Sequence, residues 1–362
     1  MDSTAVSQSR EAIATLAFAF GAPECSAVFK REPADFCVDE ELGFELSGAG
    51  DHLCLQIRKT GVATPQVVRL IEKAAGVREV DIGYAGLKDR QGVCVQWFSI
   101  HLPGKQAAEK GEPEIVGPGI EVLQRVRNNK KIRRGSHRGN RFRICLRDLQ
   151  SSASDVTATL TARLETIARR GVPNYFGEQR FGNENNNVAM ALQMFAGELK
   201  VARGFKRSML LSAARSQFFN AVLSRRVAAQ NWDRYLPGDV MNLQGSDSVF
   251  VPSEWDSVLE DRLQQFDIHP TGPLWGKGEL RSSGEAAALE LACEAQHKTL
   301  CAGLEAAGLQ QSRRSLRLPV QDLRWTFTQE GNLDLDLDLD LEFVLPPGTY
   351  ATSVLRELAR LS

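Results

Sequence analysis

The sequence predicts a mixed α+β protein, in which a sheet-based domain is built from both ends of the chain and a mainly helical domain is inserted between them. Several segments between Ser26 and Leu146 alternate apolar and polar residues with a period of two, which indicates strands. Helical patterns dominate from about residue 178 to 318, and alternation returns from Leu323 onward. This order is typical of a discontinuous domain with an insertion. We place the sheet domain at 1–165 and 319–362, and the inserted domain at 166–318.

Local signals predict the individual elements. A helix is predicted over Thr64–Ala75, with Thr64 as N-cap, Pro65 at the first helical position and Gly76 just past the end. Residues 103–119 are rich in Gly and Pro and are predicted to be a loop. The other predicted strands lie at 27–30, 35–40, 52–58, 81–85, 93–101, 141–146, 323–327 and 333–345, and the other predicted helices at 153–170, 210–227, 285–307 and 352–361.

Two patterns allow a metal site but favour a structural interpretation. The Leu-Asp repeat from Leu333 places leucines on one face and acids on the other, as in a half-solvated strand, and it lacks the glycine-bearing spacing of calcium loops. Cys293, His297 and Cys301 are four residues apart on a predicted helix. Three ligands on one straight helix do not surround an ion, so we interpret them as small buried residues.

Bulk composition is that of an ordinary soluble protein. The chain has 362 residues, of which 43% are hydrophobic and 25% charged, and its formal net charge is −1. No apolar run approaches the roughly 20 residues that span a bilayer. The apolar stretch Leu16–Phe20 is too short for a signal-peptide core, so we expect a cytoplasmic protein. Seven scattered cysteines without a Cys-x-x-Cys motif argue against a disulfide framework.

The span from Arg125 to Arg147 is strongly basic. It contains ten Lys or Arg residues and no Asp or Glu, although the chain as a whole is balanced. Such a band can neutralise phosphates, and Asn140 and Phe142 within it favour contact with RNA over a merely solvated turn. The residues expected to form an RNA-binding patch are Lys130, Lys131, Arg133, Arg134 and Arg138. A second, weaker basic group near 203–226 is equally consistent with either interpretation.

The segment Gly86-Leu87-Lys88-Asp89-Arg90-Gln91-Gly92 is a candidate catalytic loop. Glycines at both ends indicate a turn or a close approach of the backbone. An Asp held between two cations stays ionised and can act as a nucleophile. From the residues alone, a structural Lys-Asp-Arg turn explains the segment equally well. Nucleotide, flavin and metal motifs are missing from the chain, so we expect an enzyme without a cofactor or a bound metal.

Several motifs together resemble the tRNA pseudouridine synthase D (TruD) family. The segment Ala85–Arg90 resembles its catalytic segment, and the resemblance extends over roughly residues 26 to 360. The other matching segments, in the family's order, are Lys30–Phe36, Gly139–Phe142, Gly171–Gly182, Leu211–Ser216 and Pro347–Leu358.

The resemblance implies a function and a set of site residues. It implies isomerisation of uridine to pseudouridine at the thirteenth nucleotide of tRNA, on the mixed sheet of pseudouridine synthases, with RNA in the cleft beside the inserted domain. Asp89 matches the nucleophile and Asn140 an active-site asparagine. Phe36 and Phe142 match rings lining the uracil pocket. Tyr350 stands where the family has a phenylalanine, so a buried hydroxyl there needs a partner. Lys30 and Lys88 are candidates to hold a phosphate or to pair with the carboxylate.

Two other functions remain open at this stage. A catalytically silent RNA-binding or tRNA-folding protein would use the same basic surface. Another RNA-modifying enzyme, such as a methyltransferase, would usually show a glycine-rich cofactor loop after a strand. The favoured interpretation is an isomerase with tRNA as its partner, working as a monomer with no membrane association and no obligatory protein partner. The residues leave open whether attack occurs at ribose C1′ or at uracil C6.

Overall fold

The computed structural model describes residues 16–103, 111–151, 155–182, 186–329 and 337–362. Its strands are β1 Cys25–Phe29, β2 Phe36–Leu42, β3 His52–Thr60, β4 Ile82–Tyr84, β5 Val93–His101, β6 Ile120–Asn128, β7 His137–Ser151, β8 Val172–Pro173, β9 Met241–Leu243, β10 Val249–Phe250, β11 Ile268–Leu274, β12 Ser312–Ser315, β13 Arg317–Leu318, β14 Gln321–Gln329, β15 Leu337–Leu345 and β16 Ala359–Leu361. Its α-helices are α1 Thr64–Ala75, α2 Val156–Arg170, α3 Asn186–Phe195, α4 Phe205–Ala228, α5 Ser257–Gln264, α6 Gly284–Gln296, α7 Lys298–Ala306 and α8 Ala351–Leu355.

The chain folds into two compact units. The sheet unit comprises Glu24–Leu160, Val320–Gly348 and Ala359–Ser362. The helical unit comprises the described residues up to Pro23, together with Thr161–Pro319 and Thr349–Leu358. The mixed α+β class predicted from the sequence is confirmed. Among the described residues, no helix has the length and apolarity to cross a bilayer.

The sheet unit is built on one large mixed sheet. Its strand order is β14-β15-β7-β2-β5-β3-β6, with β1 joined to β7 and β16, and β4 joined to β5. The pairings β2–β5 and β1–β16 are parallel, and the other pairings are antiparallel. The long strand β7 lies at the centre and pairs with β1, β2 and β15. It therefore brings residues from both ends of the chain next to Asn140 and Phe142.

Helix α1 covers one face of this sheet. Val67, Val68 and Ile71 are buried against apolar residues of β3 and β5 because they recur at helical spacing on one side. The helix has the bounds that the sequence predicted, and Gly76 ends it at a φ of 60°. Thr64 was expected to cap it but is instead its first residue, with Ala63 at the N-cap position. The Thr64 hydroxyl is used elsewhere, in the candidate active site.

The helical unit has a core centred on α4. Leu210, Phe218, Phe219 and Leu223 of this helix are fully buried, and α3, α6 and α7 contribute to the same cluster. A four-stranded sheet of order β10-β9-β11-β12 belongs to this unit as well. These short strands and β6 were missed in the sequence because none of them shows a clear alternation of apolar and polar residues.

Two predicted helices are wrong in part. The helix expected over 285–307 is two helices, α6 and α7, because the backbone of His297 leaves the helical region at a φ of −119°. The helix expected over 352–361 ends at Leu355. Its last residues instead form β16, which pairs in parallel with β1 and places Ala359 opposite Cys25. A pairing between the two ends of the chain leaves no local signal.

The Leu-Asp repeat forms a strand as predicted, where it lies within the described residues. Leu339 and Leu341 of β15 are buried, whereas Asp340 is exposed. Asp338 is the exception: it is nearly buried because it accepts hydrogen bonds from Arg147 at 3.0 Å and from the Asp148 backbone N–H at 2.9 Å. The predicted residues 333–336 lie outside the described ranges, as do 152–154 at the start of the predicted helix 153–170.

Candidate active site

Asp89 lies in a loop, residues 85–92, between β4 and β5. The loop has no strand conformation, and its last residue, Gly92, packs closely against the start of β2. A Cβ at Gly92 would lie only 2.4 Å from the carbonyl oxygen of Phe36, so the close approach requires glycine. The segment is not a straight strand. Asp89 can therefore contact a residue other than its sequence neighbours Lys88 and Arg90.

Buried polar side chains fix the backbone of this loop. The Thr64 hydroxyl accepts a hydrogen bond from the Lys88 N–H at 3.0 Å and donates to Gln96 Oε1 at 3.0 Å. The Gln96 amide in turn donates to the Gly86 carbonyl at 2.6 Å. The fully buried ammonium of Lys59 donates to the carbonyl of Asp89 and to that of Val62. Hydrogen bonds at both ends hold the loop in one conformation.

Sequence reasoning missed these supporting residues. Gln96 offered a signal, since a polar residue at a buried position within the apolar strand β5 has to find a hydrogen-bond partner. Lys59 and Thr64 gave no such signal, because each is also compatible with an exposed position at the end of its element.

The Asp89 carboxylate pairs with Lys30. The Lys30 Nζ lies 2.5 Å from Asp89 Oδ2, and the backbone N–H of Gln91 donates to Oδ1 at 3.0 Å. Burial raises the pKa of Asp89, but the hydrogen bonds and the charge of Lys30 outweigh it, and the pKa lies below its ordinary value. The side chain is still 19% exposed. Asp89 is therefore ionised at neutral pH and remains reachable.

Lys88 does not pair with Asp89. Its Nζ lies 2.5 Å from Glu40 Oε2, and both side chains are almost fully buried. The other carboxylate oxygen of Glu40 accepts from the Trp97 backbone N–H at 3.1 Å. This pair joins the loop to strand β2. The geometry therefore favours a structural role for Lys88, whereas its expected contact with substrate stays a prediction.

Phe36 and Phe142 lie beside the ion pair. The Lys30 Nζ is 4.0 Å from the centroid of the Phe36 ring, close enough for a cation–π contact. The Phe36 and Phe142 rings are 6.0 Å apart, and Phe142 stacks on Phe343 at 5.4 Å. Both rings are only 7% exposed. They form an apolar wall next to the carboxylate rather than an open platform.

Asn140 and His137 bring unsatisfied polar atoms to the same region. The Asn140 Nδ2 lies 3.4 Å from His137 Nε2, while Asn140 Oδ1 and His137 Nδ1 are buried without a partner among the described residues. A Cβ at Gly86 would lie 3.8 Å from His137 Cε1 and 3.9 Å from Lys88 Nζ, which places His137 against the candidate catalytic loop. Burial, and then the charge of Lys88, lowers the pKa of His137 to about 4. The imidazole is therefore neutral at physiological pH.

Tyr350 belongs to the helical unit, unlike the other predicted site residues. Its hydroxyl accepts a hydrogen bond from Arg180 Nε at 3.0 Å, and its ring meets that of Phe176 edge-on at 6.2 Å. The partner that its hydroxyl was expected to need is therefore Arg180. The expected place of Tyr350 in a uracil pocket stays a prediction.

The basic span divides into two kinds of residue. Three arginines on β7 are neutralised by acids from elsewhere in the sheet unit: Arg141 by Glu41, Asp322 and Glu342, and Arg143 and Arg147 by other carboxylates. These acids are distant from the span in sequence, so the sequence alone gives no sign that its arginines are paired. Among the described residues, no carboxylate pairs with the members of the predicted RNA-binding patch, Lys130, Lys131, Arg133, Arg134 and Arg138.

Within this patch, some cations have other partners. Lys131 donates to the Val80 carbonyl at 2.5 Å, and Arg134 donates to the Tyr84 hydroxyl at 2.5 Å with its guanidinium 4.0 Å from the Tyr84 ring. Arg133 is exposed, as are Lys130 and Arg138. In the second basic group, two members are structural: Arg226 is buried with Asp239, and Arg215 donates to backbone carbonyls.

The cysteine stripe packs in the core of the helical unit. Cys293 and Cys301 are buried there, and His297 Nδ1 lies 2.9 Å from the Cys293 carbonyl oxygen. The break at His297 places the two cysteines on different helices. Both observations favour the structural interpretation.

The site as a whole offers an ionised, partly accessible carboxylate beside an apolar aromatic wall and unsatisfied amide and imidazole groups. Such an arrangement can hold a flat polar ring next to a nucleophile. Comparison with known proteins identifies the class. The family model described as tRNA pseudouridine synthase D (TruD) matches residues 12–205 and 185–358.

Relatives match almost the whole chain. A tRNA pseudouridine synthase D of Xanthomonas campestris pv. campestris is 46% identical over 356 residues, covering 95% of this chain and 94% of the relative. That of Hydrogenovibrio crunogenus is 42% identical over 342 residues, covering 94% and 95%. The crystal structure titled putative tRNA pseudouridine synthase D of Methanosarcina mazei has the same fold, with a TM-score of 0.75 over 97% of each chain at 22% identity.

These matches define the class as the pseudouridine synthases, which are isomerases. Within that class, the chain belongs to the tRNA pseudouridine synthase D (TruD) family.

Proposed function

We propose that the protein isomerises uridine to pseudouridine in tRNA, at the thirteenth nucleotide, with Asp89 as the nucleophile. The observation that carries the proposal is the ion pair of Asp89 with Lys30 beside Phe36. It holds a carboxylate ionised, partly exposed and next to an apolar wall. The tRNA substrate is proposed from the names of the relatives, and the position from the motif resemblance.

The first step is capture of the target base outside the RNA stack. Extruding a nucleotide costs a few kcal/mol, and stacking of a base on an aromatic ring returns ~1–3 kcal/mol. Phe142 and Phe36 would supply the apolar wall for the uracil ring. Asn140 Oδ1 and His137 Nδ1, which have no partner among the described residues, would gain hydrogen bonds to its polar edge.

The second step is exchange of the glycosidic bond. The Asp89 carboxylate attacks either ribose C1′ or uracil C6, and the bond between N1 and C1′ breaks. The base turns within the site, and C5 bonds to C1′. The proton on C5 passes to solvent, while N1 takes up a proton, so atoms and charge balance. Asp89 is released unchanged. Lys30 would serve by keeping the carboxylate ionised before the attack.

We also propose that the enzyme acts in the cytoplasm as a monomer, without an obligatory protein partner. Its proposed tRNA substrate supports the location. Sedimentation of the purified protein with and without tRNA tests the oligomeric state.

Release of tritium tests the function. Transfer RNA labelled with tritium at uridine C5 should lose the label to water when it is incubated with the protein, because C5 gives up its proton. Mapping pseudouridine in the product, and in tRNA from cells lacking the protein, should locate the change at nucleotide 13. Tight tRNA binding without any release of tritium would instead indicate a catalytically silent RNA-binding protein. Pseudouridine at another nucleotide would refute the proposed position 13 but not the proposed reaction.

A further inference from the structure

A groove lies in the sheet unit between the loop after β2 and the loop of residues 129–136 before β7, which we call the basic loop. We call it the flank groove, and it is lined by Phe44, Ser47, His52, Asn129, Lys130 and Arg133. Its volume is about 850 Å³, within the range of pockets that bind small molecules. A single nucleotide therefore fits within it.

Hydrogen bonds join the two walls of the flank groove. Asn128 Oδ1 accepts from the Ser47 backbone N–H at 3.0 Å, and the Ser47 hydroxyl accepts from the Asn129 N–H at 3.0 Å. The Asn128 amide also donates to the Lys130 carbonyl at 2.8 Å. These bonds hold the two loops at a fixed separation, so a ligand does not have to order them on binding.

The lining combines an aromatic ring with unpaired cations. Phe44 is 40% exposed, so part of its ring is accessible to a stacking base. Lys130 and Arg133 are exposed beside it, and neither pairs with a carboxylate among the described residues. Glu45 is the one acid among the lining residues. A ring that can stack on a base, next to cations that can bind phosphate, matches an unpaired nucleotide.

His52 adds a polar group to the lining. Its Nδ1 is buried without a partner among the described residues, and the ring packs against His101 at 5.1 Å. Burial, and then the charges of His101 and Lys131, lowers the pKa of His52, while Asp51 opposes this. A neutral imidazole can either donate or accept a hydrogen bond. It can therefore satisfy one edge of a base that stacks nearby.

We propose that the flank groove binds an unpaired nucleotide of the RNA substrate other than the uridine that is isomerised. The inference rests on the proposed function in requiring an RNA substrate. It places this nucleotide close to the catalytic loop, because the basic loop is bonded to it: the Gly135 N–H donates to the Ala85 carbonyl at 2.7 Å. Ser136 of the same loop lines the groove. A nucleotide held there would set the position of the RNA relative to Asp89.

A cycle of variants and abasic RNAs tests the proposal. Binding is measured by titration in the Asp89→Asn background, so that no turnover occurs. The probes are synthetic tRNAs, each lacking the base of one unpaired nucleotide. Phe44→Ala should weaken binding of intact tRNA about 5- to 150-fold, the range expected for loss of one stacked base. One abasic tRNA should bind the Asp89→Asn protein more weakly than intact tRNA does, by a similar factor, and its binding should be insensitive to Phe44→Ala.

Two control variants separate stacking from general damage. Phe44→Trp keeps a stacking surface and should restore affinity. Val116 is 70% exposed in the same unit but does not line the groove, so Val116→Ala should leave affinity unchanged.

Three outcomes would overturn the inference. Phe44→Ala could leave RNA affinity unchanged, all abasic tRNAs could respond to it equally, or the coupled nucleotide could be the isomerised uridine itself. The proposed function fails in a different way. If the parent protein releases no tritium from tRNA while one abasic position still couples to Phe44, the groove binds RNA but the isomerase proposal is wrong.

Discussion

Lys30 controls the charge state of the candidate nucleophile. It follows β1 with a φ of 60°, an uncommon conformation for a residue other than glycine. This turn directs its ammonium to Asp89 and over the ring of Phe36. Strained backbone conformations concentrate at functional sites, and here the strained residue is the one that forms the ion pair with Asp89.

Lys30→Met should shift the pH dependence of the reaction. Without the ammonium, burial of Asp89 is opposed only by the backbone hydrogen bonds from Gln91 and Arg90, so the pKa of its carboxyl rises. Because the ionised form is the proposed nucleophile, the acid limb of the single-turnover rate should move to higher pH. Lys30→Arg keeps the charge and should move the limb less. An acid limb that stays in place in Lys30→Met would show that another group sets the charge of Asp89.

His137 should make stability depend on pH in the acid range. Its pKa is about 4 in the folded protein, against about 6.5 in an unfolded chain. The unfolded state therefore binds one more proton between these values, and stability falls as pH drops from 6.5 to 4, by up to about 1.4 kcal/mol per unit.

Urea unfolding at a series of pH values measures this dependence. His137→Gln should flatten it, and His52→Gln, at the half-buried imidazole of the flank groove, is a control expected to flatten it less. An equal slope in the parent and in His137→Gln would show that the folded protein does not hold His137 neutral.

At the scale of single residues, the sequence named the candidates but not their partners. Asp89, Lys30 and Phe36 were proposed from motifs, and the structure brings them together. The choice between Lys30 and Lys88 as the partner of Asp89 could not be made, because Lys30 is 59 positions from it in the chain. Long-range pairing of this kind depends on the sheet and has no local pattern.

At the scale of elements, the buried pair of Lys88 and Glu40 joins the candidate catalytic loop to β2. Glu40→Gln would leave the ammonium buried without its counter-charge, which costs about 3–5 kcal/mol. We expect this loss in the free energy of unfolding, measured with urea. The double variant Glu40→Gln/Lys88→Met removes both charges and should recover much of it. A single variant as stable as the parent would show that the pair does not fasten the loop.

The basic span gives a second prediction at this scale. Arg133→Ala should reduce the slope of log affinity for tRNA against log salt by about 1, since one phosphate contact is lost. Arg143 lies in the same span but pairs with Asp39 at 2.8 Å, so Arg143→Ala is the matched control and should leave the slope unchanged. The slopes are measured between 50 and 200 mM salt. Equal slopes for both variants and the parent would show that Arg133 of the basic loop does not contact phosphate.

Elements with strong local signals were predicted and the others were not. Thr64–Ala75 and Val93–His101 were predicted with their observed bounds, because each combines a clear period with end signals. β16 was mistaken for the end of a helix, since its conformation is set by pairing with β1. The break at His297 was missed because no Gly or Pro marks it.

At the scale of the whole molecule, the predicted class was correct, and the functional domain boundaries stay a proposal. The compact units have bounds of their own, with Thr349–Leu358 in the helical unit and Ala359–Ser362 in the sheet unit. Central strand β7 joins segments from both ends of the chain in one sheet. The sheet that carries Asp89, Asn140 and Phe142 therefore needs segments from both ends of the chain.

The most direct test of the account is release of tritium from C5-labelled tRNA by Asp89→Asn under single-turnover conditions. The amide has nearly the shape of the carboxylate but lacks its charge and nucleophilicity. The account predicts that tRNA still binds, with release lowered to the background without enzyme. Release at the rate of the parent protein would contradict it, because a carboxylate that can be replaced by an amide is not the nucleophile.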